Sequence, residues 1–420
     1  MRFLSQRAYL LVATAAAISL LPASPLSSQD KPDQTDVDAR APRVVGDANP
    51  GRPFVPAVAA GDFLYLSGAI GLDRESGRVP TALAAESKEV FDSLRRLLKL
   101  EELDFDRVVE AELFLSDSRY FRDVSNIWTD EVLSIPGILP PARATVESAI
   151  ALPTARVELA VTAARKGVPV ERIVPEGWPA TSGRPYSWGV LAGDTLFVAG
   201  MVASDPKAGR WVGGDITAQT NQTMRNVETV LDTAGFGWKD VARCRVFLAD
   251  ARDYRAMNAA YGSFFGDAAP PARSTVQARL MLPEGRVEVQ CIAVRDAKRR
   301  AVLPAGTSPS NLSFSPSILA GGRLFAAGMV GRGPDGYPEG AAAQTRITLD
   351  RVKAVLDAAD LDWRDVVSVR VFLSDIRYYD DMNRVYSEVV GSPAPARATV
   401  GTPLASPEAL VEIEVTAHAE

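Results

Sequence analysis

Histidine is nearly absent: the 420 residues contain one, His418, two places from the C-terminus. This argues against a histidine-based hydrolytic triad and against a multi-histidine metal site. Two cysteines, Cys244 and Cys291, are too few for a four-cysteine zinc site or a disulfide framework. Positive charge is not in excess. Lys and Arg number 46 against 52 Asp and Glu, a formal net charge of -6, whereas a nucleic-acid-binding face is basic. Beyond the first segment no apolar run approaches the ~20 residues that a membrane-spanning helix needs. Apolar residues at 47% and charged residues at 23% are ordinary for globular protein and rule out wholesale disorder. At ~100–200 residues per domain the length calls for two to four domains. The chemistry is left to carboxylates, arginines, hydroxyls, amides and water.

Residues 1–28 open with Arg2 and Arg7, continue as an apolar run from Ala8 to Leu21 and end in small residues around Pro22-Ala23-Ser24. A basic start, an apolar middle and a small-residue end predict a secretory signal peptide, with an uncleaved anchor as the alternative. Residues 29–42 are polar and proline-bearing and read as a flexible tether. The expected mature protein is periplasmic or secreted, with no stable membrane insertion after signal removal.

The remainder is one module written three times. Pro141-Ala142-Arg143-Ala144-Thr145-Val146 recurs as Pro271-Ala272-Arg273-Ser274-Thr275-Val276 and as Pro395-Ala396-Arg397-Ala398-Thr399-Val400. A proline follows each arginine by ten residues (Pro153, Pro283, Pro407) and a glutamate by fifteen (Glu158, Glu288, Glu412). Upstream, Leu113-Phe114-Leu115-Ser116-Asp117 matches Val246-Phe247-Leu248-Ala249-Asp250 and Val371-Phe372-Leu373-Ser374-Asp375. Further upstream, the runs ending in Gly68, Gly200 and Gly328 align, so that Phe63, Thr195 and Arg323 are equivalent. The expected modules are 43–166, 170–297 and 303–420.

Each module reads as β-β-α-β-α-β, with room for one extra strand: an α+β fold with two helices on one face of a mostly antiparallel sheet. Ile216, Thr220, Thr223, Val227, Val230 and Leu231 recur at helical spacing in the second module, as do Thr345, Leu349, Val352, Val355 and Leu356 in the third. Exposed linkers are expected near Arg165–Trp178 and Asp296–Ser308. Residues 331–336 lack the Lys-Ser/Thr helix start of a phosphate cradle and read as a plain loop. Trp238, Trp363 and His418 are assigned to packing. Export would allow a Cys244–Cys291 disulfide, but buried free thiols are the expectation.

With the Pro-Ala-Arg-Ser-Thr-Val segment, the Leu-Pro ten residues on and the Val-Glu-Val strand, the module resembles the RidA/YjgF family of enamine/imine deaminases. The resemblance implies a chorismate-mutase-like fold over nearly everything from Arg52 onward. It implies that Arg143, Arg273 and Arg397 grip a substrate carboxylate and that Glu158, Glu288 and Glu412 orient the water that attacks an imine carbon. Tyr186, Asn258, Asn383, Ser67, Thr145, Thr275 and Thr399 are the further substrate-binding candidates. No metal or organic cofactor is required, and the expected partner is a small carboxylate-bearing metabolite. A guanidinium fork suits bidentate carboxylate binding, and a carboxylate can serve as general base on water. Read from the residues alone, an Arg–Glu structural ion pair remains the alternative.

No module holds the family's tyrosine, serine and asparagine together. Phe54, Ser67 and Ser125 stand in the first module, Tyr186, Ala199 and Asn258 in the second, Phe314, Ala327 and Asn383 in the third. The second, joining Tyr186, Asn258, Arg273 and Glu288, is expected to be the most competent. A non-catalytic small-molecule binding protein using the same clefts is the alternative function. A ribonuclease reading conflicts with the acidic charge and the lack of a basic aromatic groove. Because family members form homotrimers with clefts between subunits, the three modules are expected to close into a single-chain pseudo-trimer.

Overall fold

Eight-residue apolar strands organise the computed structural model, which describes residues 40–49, 51–134, 138, 140–180, 185–307 and 313–419. The expected signal peptide and nearly all of the tether lie outside the described residues. In each module the Phe-Leu strand (Val108–Leu115, Val241–Leu248, Val366–Leu373) is an interior strand of its sheet and is buried along its whole length. It pairs antiparallel with the Val-Glu strand (Val157–Ala164, Val287–Val294, Val411–His418) and parallel with the Arg strand (Ala142–Glu147, Ala272–Gln277, Ala396–Gly401). Burial of both faces is the pattern of a doubly covered sheet. One face carries a long helix (Leu83–Leu100, Ile216–Thr233, Ala341–Asp357) and a shorter one (Phe121–Trp128, Tyr254–Gly262, Tyr379–Val390). The other face meets the neighbouring modules. The helical positions anticipated in the second and third modules are all buried. The aspartates that end the Phe-Leu strands cap the next turn: Asp117, Asp250 and Asp375 accept the backbone N–H of Arg119, Arg252 and Arg377 at 2.9 Å.

Two expectations are corrected. The linkers are not free connectors: Val170–Ile173 and Arg300–Ala301 add edge strands to the second and third modules, as Arg43–Val45 does to the first. These are the extra strands for which the module pattern left room. The cysteines are not free thiols but a disulfide. The register of the two long strands sets Cys244 directly opposite Cys291, with Cα atoms 4.1 Å apart, which brings two distant cysteines within bonding reach. Trp238 packs edge-on against Phe264 and Phe265, Trp363 joins the third module's core, and His418 is buried in the final strand.

Each module contacts both others. Val55, Ser187 and Ser315 pair in parallel with Ala396, Ala142 and Ala272, joining the first module to the third, the second to the first and the third to the second. Short strands cross as well: Arg279–Leu280 extends the first module's sheet, Ala149–Ile150 extends the third's, and Leu404 bridges to Val276 of the second. Phe114, Phe247 and Phe372, one from each module, share a single apolar cluster with Val146, Val276 and Val400. The described residues accordingly belong to one compact unit.

Candidate functional site

The parallel bridges between modules determine the composition of each cleft. They lie just before the motif arginines, so each arginine sits at the boundary between its own module's short helix and the next module. Gly68 of the first module donates its N–H to the Arg397 carbonyl at 3.0 Å, and Gly328 of the third does the same to Arg273 at 3.1 Å. The glutamates follow this geometry. Glu288 accepts the N–H of Thr145 at 3.4 Å and Glu412 that of Thr275 at 3.3 Å, while Glu158 accepts that of Thr399. Three clefts result: Arg143 and Thr145 with Glu288, Arg273 and Thr275 with Glu412, and Arg397 and Thr399 with Glu158.

This corrects the expectation that Tyr186, Asn258, Arg273 and Glu288 form one site. Tyr186 lies against Arg143, with its ring centroid 5.8 Å from the guanidinium carbon. Asn258 sits on the helix that carries Tyr254 and Tyr261, both against Arg273 at 5.7 and 4.8 Å. Strand pairing across the module boundary, not sequence proximity, assigns each residue to its cleft.

The arginines are buried in aromatic surroundings. Arg143 is flanked by Phe121, Trp128 and Tyr186, Arg273 by Tyr254, Tyr261 and Phe314, and Arg397 by Phe54, Tyr379 and Tyr386, at 4.7–6.0 Å. Ring faces partly offset the cost of desolvating a cation. Polar partners are few. Arg397 donates to the Asn383 side-chain oxygen at 2.7 Å, Arg143 to Ser125 Oγ at 3.3 Å and Arg273 to the Tyr254 hydroxyl at 3.4 Å. Among the described residues, Nη1 of all three arginines has no acceptor. Thr275 Oγ1, Thr399 Oγ1 and Asn258 Oδ1 are likewise buried and unpartnered. None of the three arginines forms an ion pair with its cleft glutamate, so the structural ion-pair alternative does not describe these residues.

The glutamates are buried too. Burial pushes Glu288 and Glu412 up to about 8 and Glu158 to about 7, against the opposing pull of the threonine N–H groups and nearby arginines. Burial also lowers Arg143 to about 10. A Cβ built on Gly68, Gly200 or Gly328 would lie 2.0, 1.9 and 1.9 Å from Oε1 of Glu158, Glu288 and Glu412. Only glycine lets the carboxyl lie against the strand. Ser67 serves this framework: its hydroxyl donates to Val55 O at 2.5 Å and accepts the Arg397 N–H at 2.8 Å. It positions the arginine strand rather than presenting a free group to a ligand.

Sequence reasoning missed the aromatic walls and the role of the glycines. Both left signals. The helix aromatics stand seven residues apart in every module, at 121 and 128, 254 and 261, and 379 and 386. That spacing places them on one helix face.

A family model for Endoribonuclease L-PSP matches residues 46–165, 179–295 and 306–419. The chain belongs to this family, in three tandem copies. The copies are RidA/YjgF-like, as the motif residues implied. A 2-iminobutanoate/2-iminopropanoate deaminase of Salmonella typhimurium is 36% identical over 125 residues, which cover 29% of this chain and 96% of the relative. A RutC family protein of Synechocystis is 40% identical over 117 residues, 28% of this chain and 89% of the relative. Among solved structures, the Escherichia coli YjgF gene product is 34% identical over 30% of this chain and 98% of its own, with a TM-score of 0.28. A chorismatase covers 74% of this chain and 93% of its own at 18% identity, with a TM-score of 0.50, a likeness of fold alone. Each RidA-like relative spans about one module.

Proposed function

We propose that this family member is an exported hydrolase that converts small imines or enamines bearing a carboxylate to the corresponding oxo acids and ammonia, working in clefts between its modules. One observation carries the reading: in all three clefts a buried arginine with an unpartnered N–H, supplied by one module, is joined with a desolvated glutamic acid from another. The arginine binds the substrate carboxylate and the aromatic walls exclude water from the ion pair. The glutamate accepts a proton from water as the water oxygen bonds to the imine carbon. With the imine bound in its protonated form, the glutamate returns that proton to the nitrogen of the resulting carbinolamine, then takes the hydroxyl proton as the C=O bond forms, the C–N bond breaks, and ammonia departs. A group titrating near 7–8 suits both halves of this exchange. The test is release of 2-oxo acid from an imine generated in situ. Acceleration above the spontaneous rate is expected, and a rate equal to the protein-free control would overturn the proposal.

Export is part of the same reading. The basic, apolar and small-residue order of the first 28 residues supports it, and so does the Cys244–Cys291 disulfide, a bond that persists in oxidising compartments. Protein isolated from its native cells is expected to begin near Ser28 and to release a Cys244–Cys291 linked peptide pair without reduction. An intact N-terminus with both thiols reduced would exclude export.

The working particle is proposed to be a single chain closed on itself, since the bridges that a homotrimer would make between subunits run between modules here. Light scattering of the mature protein is expected to return the mass of one chain. A mass of three chains would refute the closed ring.

A further inference from the structure

Where the three sheets face one another, equivalent positions carry unlike charges. Glu110, Arg243 and Ser368 are equivalent, as are Glu112, Arg245 and Arg370, and Ala160, Gln290 and Glu414. All the charged residues among them are buried. Their ion pairs cross every module boundary. Arg243 reaches Glu110 at 3.2 Å and Arg245 reaches Glu112 at 2.5 Å, joining the second module to the first. Nε of Arg245 reaches Glu414 at 2.7 Å, joining the second to the third, and Arg370 reaches Glu112 at 2.6 Å, joining the third to the first. Ser274 Oγ donates to the other oxygen of Glu414 at 2.5 Å.

We infer that this pattern sorts the modules, so that the axial face of each fits the two unlike modules and rejects copies of itself. The first module brings two carboxylates, the second two guanidiniums, and the third one of each, so one of each kind makes a neutral centre. Three copies of the first would bury six carboxylates and three of the second six guanidiniums, with no counter-charge at these positions. Uncompensated buried charge is among the most expensive features a fold can carry. Three copies of the third would balance at these positions but fail at another. Arg323 there donates to Thr195 of the second module at 2.5 Å and stacks over Phe63 of the first at 4.9 Å. Its carboxylate neighbour is Asp194 at 3.5 Å, and the third module has Gly322 at the position equivalent to Asp194. Three third modules would therefore gather three arginines and none of those aspartates. The one self-neutral alternative is thus blocked by a residue outside the network.

The strength of the pairing is visible in Glu414. Burial would raise it, yet Arg245 and Arg243 hold it down to about 2. Because the inference concerns which modules meet, its tests read folding and mass, whereas the proposed activity is read by imine hydrolysis. In the full chain, Arg245→Gln and Glu112→Gln each leave one buried charge unmatched and are expected to lower Tm by about 5 °C or more. The double variant restores neutrality and is expected to recover most of that loss. Arg243→Glu with Arg245→Glu gives the second module the axial charges of the first, and the single-chain particle is expected to disappear from light scattering. Additive losses in the double variant would overturn the inference. So would a charge-reversed chain that keeps single-chain mass and an unchanged Tm.

Discussion

Changing all three cleft glutamates to glutamine, Glu158→Gln, Glu288→Gln and Glu412→Gln, is expected to reduce imine hydrolysis by roughly 10²–10⁴-fold, the usual contribution of a positioned proton-transfer group. The three changes must be combined, because clefts in one chain act in parallel and one intact cleft would mask the others. Glutamine keeps the shape and the threonine N–H contact but accepts no proton. Activity of the unchanged protein should rise with pH through 7–8, as the raised carboxyls ionise. Stability should move the other way. The folded-state values lie above the 4.5 of an ordinary glutamic acid, so folding favours the protonated form. That preference contributes fully below about pH 4.5 and is lost as pH rises through 7–8. The triple variant cannot ionise there. Its Tm should match the unchanged protein near pH 4 and exceed it by a few degrees near pH 9. Unaltered hydrolysis by the triple variant, or a Tm difference that is largest in acid, would contradict these roles.

Pairing across modules fixes which arginine serves which glutamate. In a chain whose only ionisable cleft glutamate is Glu288, because Glu158 and Glu412 have been replaced by glutamine, Arg143→Ala should lower kcat/KM by about 10- to 150-fold, the loss of a charge-assisted hydrogen bond. In the same background Arg273→Ala and Arg397→Ala should have little effect, although Arg273 shares a module with Glu288. When Glu412 is the glutamate retained, Arg273 becomes the sensitive arginine. A steady-state series over the three arginines in each background measures this directly. If sensitivity follows the module rather than the neighbour, the clefts have been paired incorrectly. The ranking by module fails on the same geometry: Tyr186 belongs to the Arg143 cleft and Asn258 to the helix beside Arg273.

The module, its repetition and the chemical parts of the site are legible in residue order alone. Arginine, proline and glutamate at fixed offsets, the aspartate-capped strand ends and the helical spacing of residues such as Val227 and Leu231 are short-range features. They are written within a single module and repeat because the module repeats. Tertiary structure alone decided which parts meet. Arg143 and Glu288 stand 145 positions apart, and they share a cleft because Ala142 pairs with Ser187 across a module boundary. Cys244 and Cys291 became a disulfide through strand register, and the apparent linker at Val170–Ile173 became an edge strand because an open sheet edge lay beside it. The buried glutamates, whose pKa that burial raises, each lie against a threonine N–H of a neighbouring module. Pairing between distant strands and burial beneath neighbouring modules depend on three-dimensional proximity, and no fixed offset along the chain encodes that.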